Sequence, residues 1–181
     1  MTSSIARLLL LLVLVPVATA AQDQHPEIAP PPRPSENFIH MTEAEVIAQL
    51  PARERQMVQQ QTAPRDRFDV LLDVSDLRLA DVGAKLDAGA PSVAQELLLY
   101  EAVVRVADEI LRKPATGIVP RDKRFKKFER RLGRQLTLLK ALTPELRPDD
   151  ATTGSAVIAT VTRIRNTALE SALDSDMLTE P

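Results

Sequence analysis

Residues 92–113 constrain the fold of this chain more than any other segment. Their apolar side chains recur at intervals of 4, 3, 4, 3 and 4 residues, which places them on one stripe of an α-helix. The stripe is Val93, Leu97, Tyr100, Val104, Ala107 and Leu111. Other apolar residues widen it until a single charged stripe remains, formed by Glu101, Arg105, Asp108 and Arg112. A helix that is apolar around most of its circumference must be covered on several sides, so we predict that this segment is the central helix.

Three further segments carry the same helical spacing of apolar residues. They span residues 65–86, 120–142 and 155–173, and glycine or proline residues mark their ends. Their inner residues are Phe68, Leu72, Ser75, Leu79, Val82 and Leu86 in the first, Phe125, Phe128, Leu132, Leu136, Leu139 and Leu142 in the second, and Val157, Val161, Ile164 and Ala168 in the third. Residues 143–154 contain two prolines and are predicted to be a loop.

A pair of short helices is predicted before these segments. Thr42 and Glu45 form a capping-box pattern, in which the hydroxyl and the carboxylate each satisfy a free backbone amide. Pro51 cannot occupy a helix interior without the loss of a hydrogen bond, so we place it in the first turn of a second helix that ends near Gln61. We expect the pair to pack across one face or one end of the other helices.

The predicted fold class is all-α: an antiparallel bundle of about four core helices plus the short, proline-broken N-terminal helical pair. The single helical domain would span residues 42–176. The competing architecture is an extended coiled coil formed by dimerisation. We favour the bundle because each apolar stripe covers only about three heptads and is wider than the two-position seam of a coiled coil.

The first forty residues predict export. Arg7 precedes an unbroken apolar run over residues 8–15, and Ala18 and Ala20 supply small side chains at the positions that signal peptidase reads. Residues 1–20 are therefore interpreted as a cleavable signal peptide, and the protein as periplasmic or secreted. Residues 21–41 are rich in proline and are predicted to be a disordered tether. The chain has no cysteine, so the exported protein would fold without disulfides.

Residues with catalytic or metal-binding chemistry are sparse. The two histidines, His25 and His40, lie outside the predicted core helices, so the Glu-x-x-His pairs of a di-iron bundle cannot form. The five glycines are too dispersed to build a phosphate-binding loop. Asp149 and Asp150 could act as general acid and base, but a solvated turn before a helix is the favoured interpretation. We therefore predict no catalytic residue, no cofactor and no metal site, and that the protein is not an enzyme.

Four basic residues of the segment at residues 120–142 are predicted to lie on one face of its helix. Lys123, Lys127, Arg130 and Arg134 are spaced 4, 3 and 4 residues apart, which places them opposite the apolar stripe of their helix. We call these four residues the basic ridge. Three interpretations remain open: a solvated surface, a site for an acidic protein, or a site for anionic envelope components such as headgroups or polymers. The aspartate-rich helix at residues 65–86 can also neutralise part of the ridge within the fold.

Two hypotheses for function follow from these patterns. The first is an exported, non-enzymatic binding or structural protein that acts through a helical surface. The second is a protein that binds anionic membrane headgroups or polyanions through the basic ridge. The formal net charge of −2 and the small number of aromatic side chains argue against nucleic acid as a partner. The identity of the partner and the oligomeric state remain open.

The export prediction is tested by the mass of the mature protein. Cleavage after Ala20 should give a chain that begins at Ala21, because Ala18 and Ala20 are the small residues nearest the end of the apolar run. Intact-mass spectrometry of protein from the native host measures this. Protein that retains residues 8–15 would contradict the prediction and indicate a membrane-anchored chain.

Overall fold

The computed structural model describes residues 41–113 and 121–177, and these residues form six α-helices and one short 3₁₀ turn. The helices are α1 (Glu43–Gln49), α2 (Ala52–Gln59), α3 (Pro64–Asp87), α4 (Ala94–Arg112), α5 (Arg121–Leu142) and α6 (Pro148–Met177), with the 3₁₀ turn at Thr143–Glu145. The predicted signal peptide and all of the predicted tether except Met41 lie outside the described residues. Met41 itself packs against the core.

The four long helices, α3 to α6, form the predicted all-α bundle. Two antiparallel hairpins, α3–α4 and α5–α6, lie side by side, so that α4 contacts α6 and α3 contacts α5. The α3–α5 pair is parallel, because Asp69 bonds Lys127 and Asp73 bonds Arg131 at the same separation of 58 residues. The consecutive helices α4 and α5 therefore stand at diagonally opposite corners.

The helix α4 is the buried centre, as predicted. It contacts α3, α6 and α1, and its apolar residues from Leu97 to Leu111 are all buried. The residues of the charged stripe form two ion pairs, each between side chains four residues apart. Arg105 bonds Glu101 at 2.6 Å, and Arg112 bonds Asp108 at 2.8 Å. Pairing within the helix lets these charges lie beside a dry core.

A buried polar network joins three corners of the bundle. Tyr100 on α4 donates its hydroxyl proton to Gln135 Oε1 on α5 at 3.1 Å. The amide of Gln135 donates to Ser75 Oγ on α3 at 2.7 Å and also to Asp76. Ser75 completes the chain by donating to the carbonyl of Leu72 at 2.7 Å. Because buried polar groups are costly when unpaired, this network favours one alignment of the three helices.

The last helix begins earlier than predicted, and the predicted loop at residues 143–154 was wrong. The 3₁₀ turn occupies Thr143–Glu145, and α6 starts at Pro148, where a proline costs nothing because first-turn amides lack helical partners. Gly154 lies inside α6, where a Cβ would come within 2.5 Å of the Leu146 side chain. The glycine is explained by this close approach rather than by a loop.

Asp150 is not the solvated turn residue that the sequence predicted. It is buried in the first turn of α6. Its carboxylate accepts hydrogen bonds from the Ser92 hydroxyl at 2.6 Å and the Val93 amide at 3.0 Å. Asp150 thus supplies, from another helix, an acceptor for the Val93 backbone amide at the start of α4. Asp149 is exposed, so the two carboxylates lie in different environments.

The N-terminal pair covers the α3–α4 hairpin. Helix α1 contacts α4 and helix α2 contacts α3, and the predicted capping box is present at Thr42 and Glu45. The pair is anchored by a buried ion pair between Glu54 on α2 and Arg78 on α3. Glu54 Oε2 and Arg78 Nε have no hydrogen-bond partner among the described residues. Burial consequently raises the pKa of Glu54 above its ordinary value, although Arg78 opposes the change.

We expect replacement of Glu54 by Gln to change the pH dependence of stability. The folded state holds the Glu54 proton to higher pH than the unfolded chain does, so ionisation of this carboxyl lowers the free energy of unfolding. The wild-type free energy of unfolding, minus that of Glu54→Gln, should therefore fall as the pH rises above about 4.5. Urea titrations between pH 4 and pH 7 measure the difference. If the stability difference between wild type and Glu54→Gln grew with pH, the attraction of Arg78 for the Glu54 carboxylate would outweigh the cost of burying its charge.

The burial of α4 predicts unequal effects for one substitution at two leucines. Leu97 is 1% exposed, whereas Leu138 on α5 is 57% exposed. Leu97→Ala should lower the free energy of unfolding by about 2–5 kcal/mol because it leaves a cavity. Leu138→Ala should change it by less than about 0.5 kcal/mol. Urea denaturation measures both, and equal losses would contradict the position assigned to α4.

Candidate functional site

The N-terminal halves of α3 and α5 are closed against each other. Phe68 and Phe128 meet edge to face with ring centroids 5.6 Å apart. Outside them, Lys127 bonds Asp69 at 2.9 Å, and Arg131 bonds Asp73 at 2.7 Å. The sequence indicated that aspartates of this helix could neutralise part of the basic ridge, and Asp69 does so for Lys127.

Arg131, which lies outside the predicted ridge, bonds two aspartates of α3. It bonds Asp76 at 2.6 Å as well as Asp73. Burial acts to lower the pKa of Arg131, but the hydrogen bonds and charges of the two aspartates raise it overall. Arg131 therefore holds α3 and α5 together and is not available to a ligand. The sequence of α5 does not indicate which of its basic side chains pairs with α3.

The four predicted ridge residues are all exposed but are not equivalent. Lys127 is occupied by Asp69. Lys123, Arg130 and Arg134 have no ion-pair partner among the residues that the structure describes. These three side chains lie on one side of α5, at intervals of seven and four residues.

Beyond Gln135, α3 and α5 separate and leave a surface groove of about 440 Å³. We call it the α3–α5 groove. It is lined by Asp76, Leu79, Ala80 and Gly83 of α3 and by Arg134, Gln135, Leu138, Ala141 and Leu142 of α5. Small side chains on α3 keep it open, and Leu138 projects into solvent beside it.

The groove is polar at one end and apolar along the rest. Asp76 and Gln135 lie at the polar end, where both are engaged in the buried network. Arg134 lies there too, exposed and without a partner among the described residues. The groove thus combines an apolar floor with one uncommitted positive charge, which is the usual composition of a binding site that fixes the orientation of its ligand.

A second hollow lies on the opposite flank of α5, against α6. We call it the arginine pocket, and it is lined by Glu129, Arg130, Gly133, Arg134, Thr137 and Arg165. Glu129 accepts two hydrogen bonds from Arg165, from Nε at 2.9 Å and from Nη2 at 2.5 Å. Arg134 lies on the rim shared by the pocket and the α3–α5 groove.

Sequence reasoning missed both hollows except for Arg130 and Arg134. In the sequence, the apolar residues of the groove look like ordinary core or surface residues. They line a groove only because of the distance between α3 and α5, which the sequence does not give. Arg165 lies 35 residues after Arg130 in the chain, and only the packing of α6 on α5 brings the two together. No local signal in the sequence could have identified them as neighbours.

Metal and membrane sites were sought in the same residues. Within 41–113 and 121–177, no three His, Cys, Asp or Glu side chains are grouped as metal ligands would be. No helix in these ranges has the length and the apolar content needed to cross a membrane. Comparisons with protein-family models, curated proteins and solved structures found no match. The functional argument therefore depends on the geometry of the two hollows.

Proposed function

We propose that this chain is an exported, non-enzymatic binding protein that holds an amphipathic, acidic helix of a partner protein in the α3–α5 groove. The observation that carries the proposal is the open flank between α3 and α5. The α3–α4 hairpin is covered by the N-terminal pair, whereas the α3–α5 flank is closed over only half its length. A helix laid along the open half would complete this side of the bundle.

The apolar floor supports a helical occupant. Leu138 is half exposed and Leu142 is partly buried, and the exposed Ala80 has a small side chain that lets a partner backbone approach closely. Burial of apolar surface contributes about 25 cal/mol per Å², and a helix presents apolar side chains at intervals of three and four residues along such a groove.

The charges of the groove support an acidic occupant. Arg134 is the lining cation, and Arg130 lies one turn before it on the same helix. Neither has an ion-pair partner among the described residues. An acidic side chain next to the apolar face of the partner would meet Arg134, and complementary charge sets the direction of binding.

The exposed cations of α5 support a second candidate function. Lys123, Arg130 and Arg134 can approach one anionic surface together, such as membrane headgroups or a polyanion, with each contributing about 1 kcal/mol at low salt. Lys127 contributes less than the sequence suggested, because Asp69 already neutralises it. Binding of this kind should disappear as salt is added, whereas apolar binding in the groove should persist.

The groove proposal is tested with a displayed library of amphipathic helices that carry either acidic or basic residues beside the apolar face. We expect selection of acidic helices, and Leu138→Glu should weaken their binding about tenfold or more, because it places a charge in the apolar floor. The matched control is Leu173→Glu on α6, which alters a leucine of similar exposure, 53%, outside the groove. Fluorescence anisotropy measures both.

Three outcomes would contradict the groove proposal. These are selection of basic helices, selection of no helix, or equal weakening by the two Glu variants. Sedimentation of the protein alone tests whether it associates with itself through the groove. Self-association that Leu138→Glu abolishes would make a second copy of this chain the occupant, and the proposed acidic partner would be wrong.

A further inference from the structure

The arginine pocket brings three guanidinium groups from two helices to one concave surface. Arg130 and Arg134 come from α5, and Arg165 comes from α6. The single carboxylate in the lining, Glu129, is already bonded twice to Arg165. One carboxylate against three cations leaves the hollow positive, and its volume of about 460 Å³ can admit a small anionic group.

The Arg165 side chain is held in position before any ligand arrives. Glu129 engages its Nε and Nη2 atoms, while Nη1 has no partner among the described residues. The guanidinium also lies over Gly133, where a Cβ would be 3.4 Å from Nε and 3.7 Å from Cζ. A guanidinium fixed in this way loses little conformational freedom on binding, and its planar fork matches the oxygens of a phosphate.

Gly133 provides the space that the Arg165 guanidinium occupies. Glycine within a helix costs about 1 kcal/mol relative to alanine, and nothing in the backbone of α5 requires a positive φ at this position. A larger side chain at this position would press against the guanidinium and alter its orientation. Thr137 donates its hydroxyl proton to the Gly133 carbonyl at 3.1 Å, so this hydroxyl is not one of the donors proposed for the anion.

We infer that the arginine pocket is a binding site for a phosphate monoester or free phosphate. The dianion would lie between the three guanidinium groups and accept hydrogen bonds from Arg165 Nη1, Arg130 and Arg134. This inference shares Arg134 with the α3–α5 groove, but Arg130, Gly133 and Arg165 do not line the groove.

The test uses the whole chain as recovered from its host, with inorganic phosphate as one probe and vesicles as the other. The vesicles contain phosphatidylcholine with or without phosphatidic acid, whose headgroup is a phosphate monoester. Calorimetry at low salt measures binding of free phosphate, and cosedimentation measures binding to vesicles. We expect binding to one or both phosphate-bearing probes and none to phosphatidylcholine alone. Binding to both or to free phosphate alone assigns a free-phosphate site, and binding only with phosphatidic acid assigns a lipid headgroup.

Two variants and a control decide whether the pocket is responsible. Arg130→Gln should weaken binding about tenfold, because it removes one charge-assisted hydrogen bond. Gly133→Leu keeps the number of charges but places a side chain against the Arg165 guanidinium, and it should abolish binding because it displaces that group. The control, Lys140→Gln, removes one exposed charge from the same helix outside the pocket and should change affinity less than twofold. Circular dichroism verifies that each variant keeps its helicity.

The inference is overturned if the wild type binds neither phosphate-bearing probe. It is also overturned if Lys140→Gln weakens binding as much as Arg130→Gln, since the effect would then be that of overall charge. Wild-type affinity in a folded Gly133→Leu protein would place the anion elsewhere on α5 and would likewise overturn it.

Discussion

The burial of α4 is the constraint on which the rest of this structure depends. A helix with apolar residues around most of its circumference is soluble only when other helices cover it. The bundle meets this need with α3 and α6 on its flanks, α5 across the diagonal, and α1 over an outer face. The two ion pairs on α4 join the four charged residues of the stripe predicted from the sequence. The short helix α1 is therefore part of the cover of α4, although it lies outside the four-helix core.

The parallel contact between α3 and α5 depends on polar interactions. Aspartates of α3 meet basic residues of α5 at a constant separation along the chain, and Gln135 joins the two helices to Tyr100 at the centre. Exposed ion pairs contribute little to stability, whereas the buried network penalises any shift that leaves its donors unpaired. The contacts end at Gln135, and the open groove begins at the same residue.

The helix α5 presents three different surfaces to its surroundings. Its phenylalanine and leucine residues fill the core, its Lys127 and Arg131 bind the aspartates of α3, and Arg130 and Arg134 remain exposed. The exposed pair separates the α3–α5 groove from the arginine pocket, with Arg134 on the rim of both. An acidic partner helix in the groove and a phosphate in the pocket would therefore share one cation, so occupation of either hollow would alter the charge available to the other.

The sequence by itself determined the helices, the buried stripes, the capping box at Thr42 and the ion pairs within α4, because each depends on residues within about one helical turn. It misjudged Asp150 and the start of α6, since the first turn of that helix accepts hydrogen bonds from Ser92 and Val93, which lie far from it in the sequence. It identified two of the three arginines in the arginine pocket as candidate binding residues, but it did not indicate the apolar residues of the α3–α5 groove as a site. Only the tertiary structure decided which helices adjoin and how far α3 stands from α5, because those distances arise from packing between residues far apart in sequence.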